Sequence, residues 1–127
     1  SSDLQRVIVA RLKAAVPSVA GRVYDRKVRE GATMPYVRVG PVYGLPDDAE
    51  CIDGDEITVQ IDVFASSYPD SRAVNDATDE VRRALNGWAD TNALTMHPMR
   101  VSLWRIMDDP DPAALHGVVQ VEAMVEG

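Results

Sequence analysis

Several residue types that functional sites often require are scarce in this sequence. The 127 residues include one cysteine and two histidines, and aromatic residues make up 6% of the chain. A single cysteine excludes an intrachain disulfide, so we expect a reducing, cytoplasmic setting. Acidic residues follow and precede Cys51 and disfavour its thiolate form, so we do not expect this cysteine to act as a nucleophile.

Positive charge and long apolar runs are also scarce. Lys and Arg number 13 against 20 Asp and Glu, which gives a formal charge of -7 and opposes general adhesion to nucleic-acid phosphates. No apolar run approaches the roughly 18 residues needed to cross a bilayer, and the N-terminal segment is amphipathic, unlike a signal peptide. The sequence therefore predicts no membrane association and no export leader.

The overall composition is that of a globular protein. Hydrophobic residues make up 46% of the chain and charged residues 26%, which differs from the low hydrophobicity and high charge of disordered chains. A chain of this length buries one core and leaves too little for a second. We therefore expect one domain over residues 1–127.

Apolar residues at three- and four-residue steps predict two helices. Leu4, Ile8 and Leu12 lie on one face of a helix near residues 3–15. Val74 and Val81 belong to a similar stripe near residues 70–86, where Gly87 is expected to adopt a left-handed conformation after the last turn. Both helices are expected to pack on a sheet.

Alternating apolar residues predict the strands of that sheet. The clearest run is 56–64, and shorter strands are expected at 23–24 and 35–40. Residues 99–107 and 118–125 are expected to form a hairpin with a long loop. The order of elements predicts an α+β fold, with an antiparallel or mixed β-sheet of about five strands packed against two helices.

Two of the expected loops have opposite charge. The first, residues 26–31, contains Arg26, Lys27 and Arg29. The second, residues 45–55, contains the acidic residues Asp47, Asp48, Glu50, Asp53 and Asp55. The spacing in the acidic loop does not fit a calcium-binding loop, so we expect no metal site there and interpret it as a solvated insertion.

A catalytic set is not evident in the sequence. His97 and His116 each precede an expected strand beside a turn-forming residue, which favours a turn position over a general base or a metal ligand. No nucleophile motif or phosphate-binding glycine loop is present. Trp88 and Trp104 are interpreted as packing residues, with the alternative that one of them anchors an interface. We expect a protein that is not an enzyme and that uses no cofactor.

The order and spacing of these segments resemble the tail terminator, or tail completion, proteins of long-tailed phages, prophages and gene-transfer particles. The resemblance rests on the N-terminal helix followed by Arg22-Val23-Tyr24-Asp25, on Met34-Pro35-Tyr36-Val37-Arg38-Val39-Gly40, on the strand 57–64, on the helix ending at 81–86 and on the late strand with His116. It covers nearly the whole chain. Only the acidic loop has no counterpart in the family pattern.

The resemblance implies assembly and no catalysis. Such a protein would form a hexameric ring on the head-proximal end of the tail tube, end tube polymerisation and offer a surface for head-tail joining. Its partners would be further copies of itself, the tail tube protein and the head connector protein, while DNA passes through the lumen without specific binding. It would be found in the virion tail after assembly in the host cytoplasm.

The charged loops are the candidate ring interface under this resemblance. Closing a ring by rotation requires two different complementary patches on each subunit. We expect Arg26, Lys27 and Arg29 to face the acidic residues Asp47, Asp48, Asp53 and Asp55 of a neighbouring subunit or ring. Two alternatives remain open: a head-closure or connector protein of the same particle, and a small hydrolase or ligand-binding domain that uses His97 and His116.

Overall fold

The structure is a computed structural model that describes residues 2–25, 27–28, 32–46, 54–89 and 98–126. Within these ranges there are two α-helices, one short 3-10 helix and five strands. The helices are α1 (Ser2–Ala15) and α2 (Arg72–Leu85), and the 3-10 turn is Pro17–Val19. The strands are β1 (Val23–Asp25), β2 (Tyr36–Pro46), β3 (Gly54–Ser66), β4 (Arg100–Asp108) and β5 (Ala114–Glu126).

The strands form one mixed sheet in the order β1-β2-β3-β5-β4. The pairs β2-β3, β3-β5 and β4-β5 are antiparallel, whereas β1 runs parallel to β2. The expected hairpin of the last two strands is therefore present as β4 and β5. The predicted α+β fold, with about five strands and two helices, is confirmed.

Both helices pack on the same face of the sheet and enclose the core. The buried apolar side chains of α1 and α2 meet those of the central strands, among them Leu12, Val81, Ile61 and Val119, which are fully buried. Polar contacts join the two helices: Arg11 Nε donates to the Ala84 carbonyl oxygen at 2.9 Å. Because the apolar stripes predicted for both helices face this cluster, hydrophobic burial accounts for the position of the helices.

Helix α2 lies unusually close to β5 at one point. A Cβ atom built on Gly117 would lie 2.2 Å from the Thr78 Oγ1 atom, well inside contact distance. Glycine at this position therefore permits the close approach of helix and strand. At the other end of α2, Gly87 has a φ of +80°, which confirms the predicted left-handed residue after the helix.

Three strands extend by two or more residues beyond the segments that the sequence predicted. Strand β2 continues past Gly40 to Pro46, and β3 begins at Gly54, so both enter the expected acidic loop. The β2-β3 register shifts between Val39 and Val42, and this irregularity accommodates Pro41 without ending the strand. Strand β5 begins at Ala114, so the prediction of a turn position for His116 is wrong.

Candidate functional site

The sheet has one face that neither described helix covers. Side chains alternate along each strand, so residues between the core positions project to the opposite side. We call this side the open face and define it by the residues Tyr36, Arg38, Asp62, Phe64 and His116, which alternate with buried Val37, Val63 and Gly117. It combines aromatic rings with charged side chains.

An aromatic row crosses four strands on the open face. Tyr36, Phe64 and His116 are direct neighbours in the strand register. The ring centroids are 5.8 Å apart for Tyr24 and Tyr36, 5.1 Å for Tyr36 and Phe64, and 4.4 Å for Phe64 and His116. Because Phe64 is stacked on both sides, its ring faces are not available to stack on nucleic-acid bases.

A buried carboxylate lies beside this row. Asp62 is fully buried, and its two oxygens accept hydrogen bonds from Arg38 at 2.9 Å, Gln60 at 2.9 Å and His116 at 2.8 Å. The Arg38 guanidinium also lies 5.4 Å from the centre of the Phe64 ring. The cluster therefore joins β2, β3 and β5 by contacts between side chains on the open face.

The protonation state of Asp62 follows from these contacts. Burial raises the pKa of the carboxyl, but the hydrogen bonds from His116, Arg38 and Gln60 lower it by more, so the pKa lies below its ordinary value. Asp62 is ionised at neutral pH, and His116 Nε2 must carry a hydrogen to donate to it. With three donors bound, this carboxylate has a structural role and is poorly placed to accept a proton from a substrate.

Gly40 has no side chain, and this leaves room for the cluster around Asp62. A Cβ atom at this position would lie 3.0 Å from Asp62 Oδ2 and 3.1 Å from the Gln60 carbonyl oxygen. Any side chain there would press on the Asp62 carboxylate from the neighbouring strand. Glycine at position 40, beside the bulge in β2, therefore leaves room for the Asp62 carboxylate.

A second surface lies along strand β4, at the edge of the sheet. Leu103 is 45% exposed, Trp104 48% and Met107 36%. The Arg82 guanidinium of α2 lies 4.3 Å from the centre of the Trp104 ring, and Asp79 accepts a hydrogen bond from Arg82 at 2.6 Å. Asp79, Arg82 and Trp104 line an open groove between α2 and β4. Trp104 is therefore a surface residue, while Trp88 packs against the core as expected.

The structure describes two of the residues predicted for the ring interface. Lys27 is exposed, and Asp55 lies in β3 with its backbone paired to Pro46 and Val125. Arg26, Arg29, Asp47, Asp48 and Asp53 lie outside the described residues, as do Cys51 and His97. Strands β1 and β2, which precede the two charged segments in the sequence, are neighbouring and parallel.

Sequence reasoning missed the cluster around Asp62. Arg38 and Asp62 stand at the polar positions of two alternating strands, which marks them only as residues of the non-core face. His116 was separated from Asp62 by a sequence distance of 54 residues. Within the described ranges, no group of three or more His, Cys, Asp or Glu side chains is placed to hold a metal ion, and no helix is long and apolar enough to span a membrane.

Comparisons with known proteins identify a match over nearly the whole chain. The family model described as tail completion protein gp17 matches residues 6–126. A chain from a structure titled "Virion of native gene transfer agent (GTA) particle" has a TM-score of 0.77 at 20% identity, covering 98% of this chain and 95% of that one. The bacteriophage SPP1 gp17 protein has a TM-score of 0.58 at 19% identity, covering 98% and 89%. No curated protein matches this sequence.

Proposed function

This chain belongs to the tail completion protein gp17 family, and from that premise we propose that it completes the tail of a phage-like particle as a hexameric ring. The ring caps the head-proximal end of the tail tube, ends tube polymerisation and provides the surface for head-tail joining. Its partners are further copies of the chain, the tail tube protein and the head connector protein. The protein has a structural role and catalyses no reaction. It is located in the virion tail after assembly in the host cytoplasm.

The family match over residues 6–126 is the observation that carries this proposal. The fold similarity supports it, because the chain from the gene transfer agent virion shares nearly the full length of this fold at a TM-score of 0.77. Such a likeness at 20% identity concerns the fold alone. The assignment of tail capping therefore depends on the family match, and the fold similarity extends over 98% of this chain.

The sheet is suited to ring formation because its two edges differ. A ring that closes by rotation joins two unlike patches on each copy. Strand β1 offers a short edge of three residues, and β4 offers a nine-residue edge on the other side. A single copy therefore presents both halves of a head-to-tail contact.

Net charge is compatible with a channel for DNA. Six copies carry 6 × -7 = -42 formal charges. An acidic ring repels the phosphate backbone, and binding to phosphates depends on clustered Lys and Arg. DNA is therefore expected to pass through the lumen without specific binding.

Tube assembly in vitro tests the function. Tail tube protein from the same particle is polymerised with and without this chain, and tube lengths are measured by electron microscopy. We expect shorter tubes that carry a ring of this chain at one end, together with a hexameric mass for the ring. A head-closure or connector protein would leave tube length unchanged, and that result would contradict the proposal.

A further inference from the structure

Strand β4 has the exposed apolar side chains of an interface. Four large hydrophobic residues are markedly exposed among those that the structure describes, and three of them, Leu103, Trp104 and Met107, lie in β4. They project on both sides of the sheet, since Trp104 is paired with buried Val119 and Met107 with His116 of the open face. A long edge strand with apolar residues on both faces is a site for adding another strand.

The opposite edge of the same sheet runs in the direction that an antiparallel contact with β4 requires. Strand β1 is the last described strand on that side, and it runs antiparallel to β4 within the sheet because β1 and β2 are parallel while the three other neighbouring pairs are antiparallel. If a second copy is related by rotation about an axis along the strands, its β1 lies antiparallel beside β4. A continuous sheet then passes from copy to copy.

The strand register determines which residues meet when two sheets join without a stagger. One row across the sheet consists of Tyr24, Arg38, Asp62, Val118 and Arg105, and the next of Asp25, Val39, Ile61, Val119 and Trp104. Tyr24 of one copy would therefore meet Arg105 of the next on the open face. Asp25 would meet Trp104 on the helix-covered face.

We propose that the β4 edge of one copy docks antiparallel on the β1 edge of a second copy, with Tyr24 beside Arg105 and Asp25 beside Trp104. This inference rests on the proposed ring and names the surfaces that form it. The occupant is a second copy because the side chains of these two rows are complementary in chemistry. The exposed Arg105 meets an aromatic ring, and the exposed Asp25 carboxylate approaches the groove where Arg82 lies over Trp104.

Disulfide trapping tests this contact. The native Cys51 is first replaced by serine, and Tyr24→Cys is combined with Arg105→Cys. A second variant combines Asp25→Cys with Trp104→Cys. Directly opposed residues of an antiparallel pair have Cα separations of about 4.5–5.5 Å, which suits a disulfide. The two positions lie four strand spacings, about 19 Å, apart within one subunit, so any disulfide in either variant joins two copies.

Matched controls separate this register from random collision. Tyr24→Cys with Trp104→Cys places the two thiols on opposite faces of the joined sheet and is expected not to crosslink. Each single cysteine variant is also expected to stay uncrosslinked, because a head-to-tail contact never brings two identical positions together. Circular dichroism and the melting temperature before oxidation check that every variant is folded.

Oxidation is carried out on the oligomer or, if the free chain is monomeric, on protein bound to tail tubes. We expect a ladder of covalent multimers, on a non-reducing gel, from both matched pairs and from no control. If the assembled protein gives no ladder, the inference is overturned while the ring and its function stand. If the chain forms no oligomer and does not alter tube length, the proposed function is overturned as well. If the crosslinks join this chain to the tube protein and not to a second copy, the occupant of the β4 edge is the tube protein and the inference is overturned.

Discussion

Replacing Asp62 by alanine tests the polar cluster on the open face. The Asp62 side chain is fully buried and accepts hydrogen bonds from Arg38, Gln60 and His116 at 2.8–2.9 Å. Alanine removes the shared acceptor and leaves a guanidinium and two further donors without their partner. Since unpaired buried polar groups are costly, we expect a large loss of stability from a change of only a few atoms.

The size of this loss depends on how far water can compensate. Removing one partner of a fully buried ion pair costs about 3–5 kcal/mol. The Arg38 side chain is 34% exposed, so part of its lost interaction is replaced by hydration. We therefore expect the free energy of unfolding to fall by about 2–3 kcal/mol. For a chain of this size that corresponds to a decrease in Tm of roughly 10 °C.

Urea unfolding at neutral pH, followed by circular dichroism, measures the effect. Asp79→Ala is the matched control, because Asp79 also binds two arginines, Arg82 at 2.6 Å and Arg83 at 3.1 Å, but on the helix surface. Such exposed helix pairs contribute about 0.3–0.5 kcal/mol each. If Asp62→Ala destabilises no more than this control, the cluster does not stabilise the sheet and the reasoning is refuted.

Three other predictions concern pH, packing and charge. The pKa of Asp62 is lowered in the folded state, so its stabilisation is present above the unfolded pKa of about 3.9 and is lost as pH falls through the folded pKa. The difference in free energy of unfolding between the parent and Asp62→Ala, measured by urea titration, should therefore shrink below about pH 4. A difference that is unchanged in strong acid would contradict this. Gly117→Ala should cost about 1–3 kcal/mol through the clash with Thr78, and adding Thr78→Ala should recover most of it, whereas additive losses in thermal unfolding would argue against the clash. Reversing Arg26 and Arg29 to glutamate should lower the oligomer mass at low salt and leave the monomer Tm unchanged. The reason is that the expected ion pairs, each of about 0.2–1 kcal/mol, repeat at every interface between copies. Normal assembly of this variant at low salt would exclude the basic loop from the interface.

The candidate surfaces were only partly predictable from the sequence. Alternation in 56–64 marks Asp62 and Phe64 as residues of the non-core side, but it does not tell which side chains of other strands they meet. The sequence favoured core packing or a sheet–helix contact for Trp104 and left an interface anchor as the alternative. Its exposure follows from the position of β4 at the sheet edge, which no local pattern indicates.

For the basic and acidic loops, the sequence alone suggested a function. Their charge is obvious in the sequence and motivated the predicted interface of Arg26, Lys27 and Arg29 with the acids at 47–55. The structure adds that the two segments follow adjacent parallel strands. Whether they meet across copies stays a prediction, and the charge-reversal experiment decides it.

The sequence by itself determined the helices, most strands and the side of each that faces the core, because amphipathic periods of 3.6 and 2 are local properties of the chain. Tertiary structure alone decided the strand order, the parallel placement of β1 and the edge position of β4. It also decided that Asp62 meets His116 across 54 residues of sequence. Such contacts depend on which elements bury each other's apolar faces, and that is a property of the whole packed chain.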